Sequence, residues 1–93
     1  MARPKKFNPS RFRDLMSRKL KERGYRSVNN FVTVHGFVRN ALARAMAGMT
    51  RPSPENLDRW CEALECTPQE KKDLYHSAGH MTQEELNEEQ LVA

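Results

Sequence analysis

Long apolar runs are missing from this sequence. No stretch approaches the ~20 apolar residues of a membrane span, and the basic opening from Met1 to Lys6 is not followed by the apolar core of a secretion signal. The expected location is therefore the cytoplasm. Cysteine is scarce as well. Cys61 and Cys66 are the only two, too few for a disulfide framework and in keeping with a reducing compartment. Internal repeats and paired strand patterns are absent, and so are the glycine patterns of phosphate-binding and dinucleotide-binding loops. With 93 residues the chain makes one domain with a modest core and little room for an enclosed catalytic pocket.

What the sequence has in abundance is positive charge at one end. The net charge is +4, but it is split unevenly. Met1 to Arg51 carries thirteen Lys/Arg against the two acids Asp14 and Glu22, a net of +11. Pro52 to Ala93 carries Arg59, Lys71 and Lys72 against ten acids, a net of −7. Such a split points to one face that meets a polyanion and another that does not.

The apolar spacing predicts helices throughout. Residues 1–7 read as a flexible basic arm. Asn8 caps a first helix with Pro9 in its first turn, and Phe12, Leu15, Met16 and Leu20 face inward until Gly24 ends it. Ser27 caps a second helix that runs to about His35, with Phe31 and Val32 inward. Valine and phenylalanine would also suit a strand across residues 30–38, but Gly36 interrupts that run and reads as a turn. A third helix follows over 38–47, with Val38, Leu42, Ala45 and Met46 inward and Gly48 after it. Ser53 caps a fourth, whose Leu57, Trp60, Cys61 and Leu64 make the clearest amphipathic stripe. Thr67 and Glu70 form a capping box for a fifth, with Leu74, Tyr75 and Ala78 inward and Gly79 at its end. Thr82 and Glu85 suit another capping box, so residues 80–93 form a short helix, a partner-binding segment or an acidic tail.

The stretch Ser27 to Gly48, SVNNFVTVHGFVRNALARAMAG, with the MTRPSPENLDRWCEALECTPQE that follows it, resembles the phage-repressor class of helix-turn-helix proteins (Cro/C1, XRE-like). The turn glycine, the loop proline and the Leu57 to Leu64 stripe carry the resemblance, which spans roughly Leu15 to Leu74. It implies an all-α, compact five-helix bundle over residues 8–79, with an optional sixth helix, and a third helix that enters the major groove. Base contacts then fall on Arg39, Asn40, Ala43 and Arg44. Arginine can grip guanine with two bonds, asparagine can grip adenine, and an alanine methyl can touch a thymine methyl. Phosphate contacts fall on Arg26, Ser27, Asn29, Thr50 and Arg51, with Arg3, Lys5 and Lys6 following the DNA as an arm.

Departures from the family pattern are specific. Leu20 and Met46 stand where members often hold an Arg–Glu pair, and an apolar pair there can be as stable as a buried ion pair, or more so. The turn from Gly24 to Ser27 is one residue longer than usual. Val28 replaces the usual polar phosphate-binding residue, leaving that contact to Asn29.

Other chemistry finds less support. Cys61, Cys66, His76 and His80 have spacing of a zinc-finger kind, but both cysteines are better placed as small apolar groups. Ser27 and His35 lie at opposite ends of one short helix with no third partner for nucleophilic catalysis. The resulting expectation is a non-enzymatic transcriptional regulator, a repressor in its commonest use, that binds duplex DNA as a homodimer on the nucleoid, with no cofactor or metal. The competing expectation is a protein-interaction module, such as an antitoxin or a phage protein that binds host transcription machinery through the acidic C-terminal half.

Overall fold

The computed structural model describes residues 6–92, with side chains through residue 88. It is all-helical among those residues, in the order α1 (Pro9–Glu22), α2 (Val28–His35), α3 (Arg39–Met46), α4 (Pro54–Ala63), α5 (Pro68–Ser77) and α6 (Gln83–Val92). None of these helices is long and apolar enough to cross a membrane. The starts follow from local chemistry. Asn8, Ser27, Ser53 and Thr67 each accept a backbone N–H of the first turn, and Pro9, Pro54 and Pro68 open their helices where no N–H is needed. Thr82 and Glu85 complete the second capping box at the start of α6, with bonds of 3.0 and 3.3 Å.

Helix α1 is the hub. It packs against α3 on one side and α5 on the other, while α2 pairs with α3 and α4 with α5. Phe12, Met16, Leu20, Leu42, Leu57 and Trp60 are buried together around it. At apolar surface burial of roughly 25 cal/mol per Å², such large side chains are the main favourable term in a chain this short.

The packed part of the chain begins earlier than the sequence suggests. Phe7 was expected in the arm, but it lies half-buried against Phe12, with ring centroids 6.0 Å apart in an edge-on pair. The Asn8 N–H donates to the Ser77 carbonyl at 2.7 Å, which ties the start of α1 to the end of α5. Gly79 makes this approach feasible. Its φ is +80°, and a Cβ there would lie 2.9 Å from the Lys6 carbonyl carbon and 3.1 Å from the Phe7 nitrogen. Gly79→Ala is therefore expected to cost about 1–2 kcal/mol in left-handed backbone strain, plus displacement of residues 6–7. A thermal melt would show it, at about 4–8 °C per kcal/mol, and an unchanged melting temperature would mean that the segment does not pack there.

Helix α3 also differs in one register. It starts at Arg39, not Val38, and Val38 is 73% exposed instead of inward. The cause is the ending of α2, where the Phe37 N–H returns to the Val32 carbonyl at 2.9 Å. That ending turns Phe37 onto Phe31, at 5.6 Å between ring centroids, and fills the inward place assigned to Val38.

Candidate nucleic-acid interface

Helix α3 has two unlike faces. Leu42 and Ala45 are fully buried, while Arg39, Asn40, Ala43 and Arg44 are all exposed. Their i, i+1, i+4, i+5 spacing places the four on one stripe pointing away from α1. Val38, just before this helix, and Val34 of α2 are exposed too, at 73% and 62%. Among α1 to α5, α3 alone has an N-cap residue that makes no side-chain bond to the first turn, so its leading N–H groups are not covered in that way.

An aromatic cluster positions α2 and the turn. Tyr25 meets Phe31 edge-on at 5.0 Å, His35 stacks on Phe37 at 5.5 Å, and the Tyr25 hydroxyl and His35 Nε2 are 2.7 Å apart. Pairs of this geometry add about 0.5–1.5 kcal/mol each beyond their buried area. They hold the Gly24 to Ser27 connection against the far end of α2.

The residues expected to meet phosphate fall into three groups. Asn29, Arg26, Ser27 and Thr50 are exposed. Asn29 sits beside α3, where its Oδ1 accepts from Arg39 Nε at 3.3 Å. Ser27 Oγ is occupied as an acceptor by the Asn30 N–H at 3.0 Å, but its own O–H remains available to donate. Arg51 is exposed as well, but it is engaged at the end of α5. Its guanidinium donates to the Ala78 and Gly79 carbonyls at 2.8 and 2.6 Å, with His80 Nδ1 at 3.1 Å. It closes the C-terminal end of α5, where a cation also meets the negative end of the helix dipole. Lys6 is exposed, with its backbone against Gly79. Arg3 and Lys5 lie outside the described residues.

Arg51 is one of three cations of the basic half that are used internally. Lys19 is buried and donates to Glu70 at 2.8 and 3.1 Å and to Glu22 at 3.3 Å. The bond from Lys19, with the Thr67 N–H, holds the Glu70 carboxyl below its usual range. Arg23 donates to the Leu64 and Glu65 carbonyls at 2.9 and 3.2 Å and so closes α4. The charge asymmetry is thus partly an internal matter, joining the basic half of the chain to the acidic one. Arg26, Arg39, Arg44, Lys21, Arg13, Arg11 and Arg18 stay exposed.

The histidines near the cysteines are engaged elsewhere. His76 Nε2 lies 2.9 Å from both oxygens of Glu85, a buried residue in the first turn of α6. Burial opposes its ionisation, but the Thr82 N–H and His76 hold the Glu85 carboxyl below its usual range. His80 Nε2 meets the Pro52 carbonyl at 2.8 Å. Among the described residues no three His, Cys, Asp or Glu side chains converge as a metal site requires. Trp60 and Tyr75 are core residues, and the Tyr75 hydroxyl donates to Asp58.

Sequence reasoning missed Val38 as part of the exposed edge. The signal was the ending rule itself, since a residue just after the helix-stopping glycine commonly turns back onto the last turn. The chain matches no family model, no curated protein and no solved structure.

Proposed function

We propose that this chain is a sequence-specific duplex-DNA-binding protein, a transcriptional repressor whose α2, turn and α3 form a helix-turn-helix. Helix α3 enters the major groove and Arg39, Asn40, Ala43 and Arg44 meet base edges. Val38 joins them, because its methyl groups stand beside Arg39 and can contact a thymine methyl. Arg26, Ser27, Asn29 and Thr50 hold the flanking phosphates, and Arg3, Lys5 and Lys6 follow the backbone. The protein works on the nucleoid in the cytoplasm, as a two-fold dimer on two related half-sites about one helical turn apart.

The observation that carries this reading is the outward stripe of α3. Four side chains suited to base edges share one exposed face of a helix whose other face is locked into the core. Asn29 at the start of α2 is bonded to the first of them, so a phosphate-facing group and a base-facing group are held side by side.

Selection of bound duplexes from a random DNA pool tests it. The expected result is an enriched motif with two related halves. Affinity for that motif should fall by on the order of 10³–10⁵ between 50 and 200 mM salt if six to ten phosphates are contacted across the dimer. A folded protein that enriches nothing would redirect the search to protein partners of the acidic half.

A further inference from the structure

Two thiols stand at the corner between α4 and α5, apart from the DNA-reading face. The Cys66 N–H donates to the Cys61 carbonyl at 3.0 Å. Glu65, just before Cys66, has a left-handed φ of 53°. This is the helix ending in which two residues five apart are bonded through their backbones and their side chains meet. Here both side chains are thiols, and both are free. A direct backbone bond of this kind keeps the two Cα atoms within the window of about 4.4–6.8 Å that disulfides span.

The two differ in access. Cys61 is 5% exposed. Cys66 is half-buried and lines an open cleft of about 140 Å³ together with Leu15, Lys19, Glu22 and Glu70. We propose that Cys66 and Cys61 form an oxidisable dithiol that reacts with hydroperoxides, Cys66 as the attacking thiol at the cleft and Cys61 as the resolving thiol behind it. The microenvironment fits these roles. The hydrogen bond from the Cys61 thiol, and then the nearby Lys19 and Arg23, hold Cys66 below the ordinary thiol range against the opposing effects of burial and Glu70. The same bond and burial push Cys61 up, which suits a group that ionises only as it resolves its neighbour.

In the first step the Cys66 thiolate attacks one oxygen of hydrogen peroxide. The S–O bond forms, the O–O bond breaks, and the departing hydroxide leaves as water with the proton that Cys66 released on ionising. Cys66 is then a sulfenic acid. In the second step the Cys61 sulfur attacks the Cys66 sulfur. The S–S bond forms, the S–O bond breaks, and the departing hydroxide takes the Cys61 proton. Two thiols lose two electrons, the peroxide gains them, and two waters are released. In a reducing compartment such a disulfide is transient and redox-sensing, not a structural staple. It would lock the α4–α5 corner on which Arg23, just after α1, rests through the Leu64 and Glu65 carbonyls.

The test treats the reduced full chain with hydrogen peroxide and follows intact mass without reductant. The expected product has lost two hydrogens, with Cys61 and Cys66 joined in the peptide map. Cys66→Ser should slow oxidation by on the order of tenfold and form no bridge. Cys61→Ser should leave a sulfenic acid on Cys66 that dimedone traps. The unaltered chain supplies a check free of folding artefacts, since the alkylation rate of Cys66 should rise with an inflection below about pH 8.5. Oxidation without the bridge, equal rates in Cys66→Ser and the parent, or an inflection at the ordinary thiol value each overturns the proposal.

Discussion

Arg39→Ala combined with Arg44→Ala should weaken binding to the selected duplex by about 2–6 kcal/mol, because each bidentate arginine–guanine contact is worth about 1–3 kcal/mol. At about 1.4 kcal/mol per decade, this is a loss of roughly 30-fold to more than 10⁴-fold. Both side chains are exposed, so the fold should be unaffected and helix content should match the parent. Binding to unrelated DNA should fall far less, since that term rests on total charge and not on base edges. A charge-matched control, Lys71→Ala with Lys72→Ala, removes two cations from α5, which packs on α1 and α4. If the control loses as much specific affinity as the arginine pair, the loss is an effect of net charge and α3 does not read the bases. Titration of both double variants against selected and scrambled duplexes, at one fixed salt concentration, separates the two outcomes.

Phe12→Ala is expected to cost about 3–5 kcal/mol of folding free energy, the usual range for an aromatic side chain removed from a core. Phe12 is fully buried between Phe7 at 6.0 Å and Trp60 at 6.3 Å. It lies in α1, which joins the α2–α3 pair to the α4–α5 pair, so the cavity would open where the two halves of the bundle meet. A chain of 93 residues has about 5–14 kcal/mol in all, at roughly 0.05–0.15 kcal/mol per residue, so a large part of its stability goes. Chemical denaturation followed by circular dichroism measures the change. A loss under 1 kcal/mol would show that Phe7 and Phe12 are not packed as described.

The helix boundaries were legible in the residues because capping is local chemistry. Asn8, Ser27, Ser53 and Thr67 were expected to start helices, and each does so with the bond its side chain can make. The inward stripes of α1, α4 and α5 were readable for a related reason, since a period of 3.6 leaves few choices for burying Phe12, Trp60 or Leu74. The exposed stripe of α3 was equally legible, and Arg39, Asn40, Ala43 and Arg44 do share one outward face. Val38 was not placed correctly, although the return of Phe37 onto Val32 is itself a local rule.

What the sequence by itself determined, then, is an all-helical chain, its caps and most of its stops, and which side chains of α3 cannot be core. Each of these depends on neighbours within about one helical turn, so the chain carries the information without knowing its own shape. Only the tertiary structure decided which cations remain available and where the N-terminal segment docks. Lys19, Arg23 and Arg51 look like their basic neighbours in the sequence, yet they are held by Glu70, by the end of α4 and by the end of α5, 27 to 51 residues away. Phe7 joins the core because Gly79 lets the backbone pass close enough. Contacts between distant residues depend on how helices pack, and no local period or cap encodes that.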